Sequence, residues 1–363
     1  MSGAPELIQP SEFSREASLP PLGLLLPGSL PLPELLRVKQ KEQVPVQVVF
    51  PVATAREAQN LGRLLATLKA IPEGLIDQVW LAFGGQGLGR LRQTAATFPG
   101  LKIFTARKCL PADQQQTPLG KGAVMRAFIH HLVVTRQVTH PRAVIAFIDA
   151  DIRPAYFNSG WVLGPVGAIL WFRTVEAAKI VYHRPRGCRL NAMLRSLLAL
   201  CPHPGVQTLN KLVYLLSGEI AGTLNFWTKV PFKSGYGVET LILLAFSLDQ
   251  LQLIDDTPDL SHLVQVYVGQ MDHRHAPLTS TAGKPGLDQM AGHVFHTLEE
   301  TLRQAGLITW QSPALARPTL NIPLPGPGYA VPPDWLEVPL GDVTLPPLRT
   351  CPEIRAVLEK GGR

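Results

Sequence analysis

Short apolar runs alternate with segments of helical periodicity through roughly the first 150 residues of the chain. The apolar runs predict four strands, at residues 47–51, 79–83, 102–106 and 143–148. Apolar residues spaced three and four apart predict the intervening helices, at residues 55–70, 91–98 and 122–134. Strands that alternate with helices form βαβ units and a largely parallel sheet. Because the strands are apolar on both faces, we expect an α/β fold with helices on both sides.

The remainder of the chain has a mixed pattern. We predict a strand just before Tyr182 and another at residues 263–268. We predict helices at residues 191–199, from about residue 210, at residues 238–248 and at residues 353–360. Both ends of the chain are rich in proline. Since proline interrupts helices, we expect residues 1–44 to form an irregular arm without a long helix, packed on the body or on a partner subunit.

Composition narrows the classes of protein and ligand. The apolar fraction is 46% and the charged fraction 17%, which is typical of a globular protein. The net charge of +7 suits an anionic ligand such as a phosphate or nucleotide. Lysine and arginine are spread along the chain without a zinc-finger or RNA-binding motif, so we expect no nucleic-acid partner.

Cysteine usage and the hydropathy of the chain bear on its location. The four cysteines have no CxxC spacing, which indicates reduced thiols and a cytoplasmic protein. The amino terminus lacks the pattern of a signal peptide. The apolar run at residues 160–172 contains Pro165 and is shorter than the roughly 20 residues of a bilayer span. We therefore expect no membrane association.

An acidic turn follows the fourth predicted strand. Ligands of parallel sheets bind at the carboxyl ends of the strands, and Asp149 and Asp151 lie there, two residues apart. Two carboxylates suit Mg²⁺ or Mn²⁺, which in turn neutralises a diphosphate. The arrangement is the DxD pattern of nucleotide-sugar transferases. The alternative interpretation is a helix cap or a solvated turn.

Two glycine-rich turns precede helices. Gly120-Lys121-Gly122 combines a close backbone approach, a helix N-terminus and a cation, all of which favour a phosphate. The alternative is a surface turn with a solvated lysine. The second turn, GGQGLG after the second strand, lacks the spacing and the later acid of a dinucleotide site. Arg107 could bind the 2′-phosphate of NADP, so an NADP-dependent oxidoreductase is an open alternative.

Further polar clusters follow in the second half. Residues 231–240 (PFKSGYGVET) carry Tyr236 and Glu239 beside two glycines. Residues 272–275 (DHRH) follow a predicted strand. Their imidazoles could complete the coordination shell of a metal that is already bound by two carboxylates. A basic turn offers donors for a carboxylate or phosphate, at Arg184, Arg186 and Arg189. Structural histidines and a solvated basic loop are the alternatives.

The order of these motifs resembles the glucosyl- and mannosyl-3-phosphoglycerate synthases over residues 46–278. The matching strings are FPVATAREAQNL, GKGAVMRA, FIDADI, YHRPRGCRLN, LLSGEIAGT, PFKSGYGVE and GQMDHRHAPL. The resemblance implies a GT-A fold, a divalent metal (Mg²⁺ or Mn²⁺), a homodimer, and transfer with retention of configuration. The donor would be UDP-glucose or GDP-mannose, and the acceptor the 2-hydroxyl of 3-phosphoglycerate, in compatible-solute biosynthesis.

The resemblance also implies roles for single residues. Asp149 would contact the nucleotide, Asp151 and His273 would bind the metal, and the Leu216 backbone and Glu239 would lie beside the donor sugar and the reacting hydroxyl. Lys121 and Tyr236 would lie at the donor. The base pocket would comprise Pro51, Val52, Ala53 and Glu57. The phosphoglycerate would be held by Arg189, Asn191 and His275.

The chain departs from the family pattern in three places. A longer ATAREA turn follows the first strand where the family has Asn-Glu-Glu, and the second strand ends in Phe83-Gly84-Gly85 instead of Asp or Ser. His275 stands where asparagine is common.

The chain divides by these criteria into four parts. Residues 1–44 form the arm, 45–178 the nucleotide-sugar-binding half, 179–311 the acceptor-binding half of the same GT-A domain, and 312–363 a Pro-rich tail. Two other functions remain open besides the oxidoreductase. A sugar-phosphate nucleotidyltransferase shares the sheet and the Mg²⁺ chemistry, and a catalytically silent nucleotide-sugar-binding protein would share the site.

Overall fold

The computed structural model describes most of the chain in twelve stretches. They are residues 6–17, 19–20, 22–52, 60–85, 88–184, 189–201, 203–248, 260–272, 286–308, 319–323, 335–339 and 343–361. The architecture given below is that of these residues.

A nine-stranded sheet forms the centre of the molecule, in the order β1-β2-β10-β7-β8-β6-β3-β4-β5. Its strands are Leu7–Ile8 (β1), Leu24–Leu25 (β2), Val46–Val52 (β3), Gln78–Phe83 (β4), Leu101–Thr105 (β5), Val144–Phe147 (β6), Ala177–His183 (β7), Ile220–Thr223 (β8) and Leu263–Gln270 (β10). The paired strands are parallel except that β8 runs antiparallel to both of its neighbours, β6 and β7. Two small antiparallel ribbons lie outside this sheet, formed by Phe232–Lys233 (β9) with Thr344–Leu345 (β13) and by Thr319–Pro323 (β11) with Trp335–Pro339 (β12).

Helices cover both faces of the sheet, as the apolar strands require. They are Leu32–Glu42 (α1), Leu61–Leu68 (α2), Leu88–Ala96 (α3), Lys121–Val134 (α4), Gly160–Trp171 (α5), Arg189–Leu200 (α6), Pro204–Leu209 (α7), Leu224–Lys229 (α8), Val238–Ser247 (α9), Leu287–Gln304 (α10) and Pro352–Gly361 (α11). One hydrophobic core includes side chains of α1, α2, α3 and α5, and the other includes side chains of α4 and α6 to α11. Alternate residues of β3 enter the two cores, Val49 on one side and Val48 and Phe50 on the other.

The parallel βαβ pattern predicted from the sequence is confirmed, with strand ends shifted by one or two residues. The four predicted strands correspond to β3, β4, β5 and β6, and the predicted helix at 122–134 corresponds to α4. The predicted helix at 55–70 is confirmed for its second half as α2, and residues 53–59 lie outside the described residues.

The expectation of an irregular arm without a long helix is wrong for residues 32–42. These residues form α1, which has 11 residues and packs against α5. Its proline stands in the first turn, where the missing N–H has no helical partner in any case. Further upstream, β1 and β2 add to the edge of the main sheet beside β10.

Three further elements differ from the predictions. No helix begins near residue 210; α7 instead ends at Leu209, and Pro204 occupies its first turn. The four-residue strand β8 (IAGT) was not predicted, because it is too short to show a period. The 18-residue α10 was also missed, although Val294, Leu298 and Leu302 recur at intervals of four and are buried.

Among the described helices, none combines the length and the apolar character that a membrane-spanning helix needs. The apolar run at 160–172 is the buried helix α5, with Pro165 inside it.

A buried arginine joins the segment before α4 to the carboxyl-terminal residues. Arg126 on α4 is fully buried, and its guanidinium lies 2.6 Å from Asp113 Oδ2 and donates to Pro346 O at 3.1 Å. It also lies 3.5 Å from Cys351 Sγ. Five guanidinium N–H donors thus hold together segments that are far apart in the sequence.

We expect Arg126→Met to lower the free energy of unfolding by about 1–3 kcal/mol, because it removes the hydrogen bonds that join Asp113 and the Pro346 carbonyl to α4. The measurement is urea unfolding followed by far-UV circular dichroism. The control is Arg37→Met: Arg37 pairs with Glu34 on the surface of α1, and loss of such a pair costs at most about 1 kcal/mol. Equal midpoints for the two variants would show that Arg126 does not join these segments.

Candidate active site

The carboxyl ends of β3, β4 and β6 surround a cavity of about 340 Å³. Because these strands are parallel, the residues that follow them meet at one edge of the sheet. The cavity wall combines an apolar part with carboxylates and a lysine. It comprises Pro51, Val52, Gly84, Leu119, Gly120, Lys121, Val124, Asp149, Ala150, Asp151, Gly235 and Tyr236.

A lysine at the first position of α4 organises the floor of this cavity. Lys121 Nζ lies 2.6 Å from Asp149 Oδ1 and 3.1 Å from Glu239 Oε1, and it donates to the Gly218 carbonyl at 3.2 Å. Although burial alone lowers the pKa of Lys121, the carboxylates of Asp149, Glu239 and Glu219 raise it by more, and the net shift is upward. Lys121 is therefore a permanent cation at this site.

The glycines of the Gly120-Lys121-Gly122 turn allow a close approach to another backbone. A Cβ at position 122 would lie 1.9 Å from the Lys233 carbonyl oxygen, and one at position 120 would lie 2.6 Å from the Ser234 carbonyl oxygen. The Ser234 carbonyl accepts from the N–H of Ala123 at 3.0 Å. Within the structure, these glycines serve the packing of α4 against the residues of β9.

The residues of β9 are held in turn by the carboxyl-terminal segment. β13 pairs with β9, and the Ser234 N–H donates to the Val343 carbonyl at 3.0 Å. The wall that contains Gly235 and Tyr236 thus depends on residues more than a hundred positions later.

A tight turn before β8 contributes a third side of the site. A Cβ at Gly218 would lie 1.9 Å from Lys121 Nζ and 2.6 Å from Asp149 Oδ2, so only glycine leaves these two groups in contact. The next residue, Glu219, is buried, and its Oε2 has no hydrogen-bond partner among the described residues. Burial raises the pKa of Glu219 to about 8, and the negative charge of Asp149 adds to the shift. Near neutral pH the site therefore favours the protonated form of this carboxyl.

The end of β10 lies beside the acidic turn. Arg153 donates its N–H to the Asp272 carbonyl at 3.4 Å, and its guanidinium lies 2.7 Å from Asp272 Oδ2. Because Arg153 follows Asp151 by two residues, Asp272 lies close to the DxD turn.

A second cavity, of about 360 Å³, opens at the carboxyl ends of β7 and β10. Its lining comprises Tyr182, His183, Arg184, Asn191, Val213, Tyr214 and Tyr267. The Arg184 guanidinium carbon lies 5.6 Å from the Tyr182 ring centroid and 5.4 Å from that of Tyr214. Such a guanidinium between aromatic rings is suited to an anionic ligand.

The segment around Leu216 connects the two cavities. On one side, Asn191 Oδ1 accepts from the Leu215 N–H at 2.7 Å. On the other side, the Gly218 carbonyl accepts from Lys121. Residues 215–218 therefore contact one lining residue of each cavity.

The structure brings most of the sequence-predicted residues to these cavities. Pro51, Val52, Lys121, Asp149, Asp151 and Tyr236 line the first, Glu239 contacts Lys121, and Asn191 lines the second. Arg189 begins α6 and is exposed, beside Asn191 but in neither lining. The predicted residues Ala53, Glu57, His273 and His275, and the basic-turn residue Arg186, lie outside the described residues.

Sequence reasoning missed three groups of the site. Gly218 and Glu219 were noted only as part of the SGE string, and Lys179 on β7 was not noted at all. The available signal for Lys179 was a single charge within the apolar run AAKIVY, a position where a strand buried on both faces seldom tolerates a charge.

The donor set suits a divalent cation. Asp149, Asp151 and Glu239 provide three carboxylates and Glu219 a further carboxyl, whereas the ammonium groups of Lys121 and Lys179 provide two positive charges. Among the described residues, no three His, Cys, Asp or Glu side chains converge as ligands, and the third predicted ligand, His273, is not among them. The excess of hard oxygen donors at the cavity matches Mg²⁺ or Mn²⁺.

Solved structures share this architecture at low sequence identity. A glucosyl-3-phosphoglycerate synthase from Mycobacterium tuberculosis, in complex with Mn²⁺, UDP-glucose and phosphoglyceric acid, has a TM-score of 0.63 and 23% identity; the match covers 88% of this chain and 94% of that one. A mannosyl-3-phosphoglycerate synthase from Rubrobacter xylanophilus has a TM-score of 0.69 and 22% identity, over 90% of this chain and 95% of that one. These likenesses confirm the predicted GT-A fold.

Comparison of the sequence with known proteins identifies the family of the chain. No protein-family model matches the chain. The glucosyl-3-phosphoglycerate synthase of Mycolicibacterium smegmatis is 31% identical over 249 residues, which are 65% of this chain and 73% of the relative. This identity, together with the shared fold, confirms the resemblance seen in the motifs: the chain belongs to the glucosyl-3-phosphoglycerate synthase family.

Proposed function

We propose that the chain is a hexosyltransferase that moves glucose from UDP-glucose to the 2-hydroxyl of 3-phosphoglycerate, with retention of configuration. The observation that carries the proposal is the Lys121 ammonium between Asp149 and Glu239 in the first cavity, linked through residues 215–218 to Asn191 in the second. One cavity offers carboxylates and a glycine-rich turn for a metal-bound diphosphate, and the other offers a guanidinium between tyrosines for an anionic acceptor.

The donor occupies the first cavity in this proposal. Pro51 and Val52 provide apolar contacts for the base, and Tyr236 closes the opposite wall. Ala53 and Glu57 stay predictions for the same pocket. Lys121 and the first N–H groups of α4 favour the negative charge of the diphosphate, which grows as the glycosidic bond breaks.

Asp151 and His273 stay the predicted ligands that would hold Mg²⁺ or Mn²⁺, and Asp149 stays the predicted contact of the nucleotide. When bound, such an ion neutralises the leaving diphosphate as a Lewis acid.

The acceptor occupies the second cavity. Arg189, Asn191 and His275 stay predictions for its anionic groups, and Arg184 adds a cation to the same wall. Leu216 lies between the cavities, so its backbone carbonyl is available to the attacking hydroxyl. Glu239 accepts from Lys121 and orients the sugar or that hydroxyl. The chemistry requires alignment of two bound substrates, which can lower a barrier by about 7–11 kcal/mol without a covalent intermediate.

Two parts of the proposal concern the assembly and its location. A homodimer and a cytoplasmic location stay predictions. The described cysteines Cys109, Cys201 and Cys351 are free thiols, which supports a reducing compartment. Mannose transfer from GDP-mannose is the second candidate activity, favoured by the fold shared with the mannosyl enzyme.

The first test is release of nucleoside diphosphate from UDP-glucose and from GDP-mannose, each with and without 3-phosphoglycerate, in Mg²⁺ or Mn²⁺. We expect release of UDP that depends on the acceptor and that EDTA abolishes. Pyrophosphate from a nucleoside triphosphate and a sugar phosphate would instead show a nucleotidyltransferase. Metal-dependent UDP binding without any release would show a silent binding protein.

The metal assignment has a readout that is independent of turnover. We expect Asp151→Asn to weaken Mn²⁺ binding in the presence of UDP by at least about tenfold, measured by the electron paramagnetic resonance of free Mn²⁺. Glu73→Gln is the control, since Glu73 is an exposed carboxylate outside both cavities. Wild-type Mn²⁺ affinity in Asp151→Asn would contradict the assignment.

Gly218→Ala tests the ammonium cluster without removing a charge. The added methyl must displace Lys121 Nζ from Asp149, and we expect kcat to fall about 10- to 100-fold. Gly62→Ala is the matched control: it adds a methyl on α2, where no atom lies within 4 Å, and should stabilise the helix slightly. If both variants keep wild-type kcat, the contact between Lys121 and Asp149 is not required for turnover.

A further inference from the structure

A lysine lies beneath the floor of the first cavity, inside the hydrophobic core. Lys179 belongs to β7, whose residues from Ala177 to Tyr182 are all buried, and only 2% of its surface is exposed. Its neighbours in a small enclosed space include Met125, Val238 and Ile242. Burial of an ammonium among such side chains is costly unless the group is well compensated.

The compensation comes from the turn that precedes β8. Lys179 Nζ donates to the Ser217 carbonyl at 2.6 Å. Burial lowers the pKa of Lys179 to about 8, and the nearby carboxylates of Glu239 and Glu219 oppose this shift. The side chain is therefore predominantly an ammonium at neutral pH.

The three carbonyls of this turn are each held by a donor from a different direction. Lys179 holds that of Ser217, Lys121 holds that of Gly218 at 3.2 Å, and the N–H of Ile180 holds that of Glu219 at 3.1 Å. The Ser217 hydroxyl also donates to the Ile180 carbonyl. The peptides between Ser217 and Gly218 and between Gly218 and Glu219, which directly follow Leu216, are thereby held in one direction from below.

We propose that Lys179 is a positioning residue for the transfer reaction: it fixes the turn at Ser217 and Gly218, and through it the Leu216 backbone and the Lys121 ammonium. The expected fall in kcat rests on the proposed function, whereas the effect on the turn does not. Lys179 lines neither of the two large cavities, so it acts through the turn and not by contact with substrate.

The position of Lys179 requires both its length and its charge. A methionine of similar length fills the space but donates nothing to the Ser217 carbonyl. A displacement of the turn by about 1 Å is enough to reduce a rate about a hundredfold when the reaction depends on alignment. Substrate affinity should change much less than the rate, because Lys179 itself lines neither cavity.

The test is Lys179→Met in two measurements on the full chain. In the transferase assay we expect kcat to fall about 10- to 100-fold, while KM for UDP-glucose and for 3-phosphoglycerate stays within about threefold. In hydrogen–deuterium exchange of the ligand-free protein, we expect faster exchange in the peptide that covers residues 215–220, with the sheet strands β3 and β4 unchanged.

The matched control is Lys39→Met. Lys39 on α1 is also buried and pairs at 2.8 Å with Asp77, which directly precedes β4, and neither residue lines a cavity. We expect this variant to lose stability without a change in kcat or in exchange at residues 215–220. A general effect of burying methionine in place of lysine would appear in both variants.

Each outcome decides the inference. Unchanged exchange at residues 215–220 in Lys179→Met overturns the structural part, even if the wild-type protein has no activity with these substrates. Faster exchange with wild-type kcat overturns the kinetic part. A rise in KM with unchanged kcat would show that Lys179 acts on substrate binding instead. Absence of turnover in the wild type would contradict the proposed function alone.

Discussion

The ion cluster around Lys121 is the interaction on which the candidate site depends. One ammonium, at the first position of a helix, contacts a carboxylate from the end of β6, a carboxylate from α9 and a carbonyl from the turn before β8. These groups come from parts of the chain up to 118 residues apart. A buried cluster of this kind is expensive to form and costly to disturb, because removal of one charge leaves the others unpaired. The fold therefore has to hold every member in place.

Much of this support comes from groups that do not face the cavities. The glycines of the first turn let α4 approach the backbone of β9, and Gly218 leaves room for the ammonium. Arg126, five residues beyond Lys121, attaches the same helix to Asp113 and to the carboxyl-terminal segment. The apolar packing of the sheet places the strand ends, and these polar contacts set the finer geometry.

The sequence alone predicted the parallel sheet and the polar residues at its carboxyl edge. Apolar strands and a helical period of 3.6 residues are local signals of secondary structure. A DxD sequence directly after a parallel strand lies at the carboxyl edge of the sheet. It did not predict α1, because proline, which is unfavourable in the interior of a helix, is tolerated in the first turn. It did not predict the burial of Glu219 and Lys179 either. Their environment is made by residues distant in sequence, and a charge in a strand carries no local sign of the group that compensates it.

The pairing of β13 with β9 has a consequence for the biogenesis of the protein. The wall of the first cavity at Gly235 and Tyr236 is supported by residues 343–345, and α11 packs on α4, the helix that begins with Lys121. During translation the sheet and most of its helices emerge before these final contacts exist. The first cavity is thus completed only after residues 343–345 have left the ribosome, so a nascent chain has its scaffold before it has a finished site.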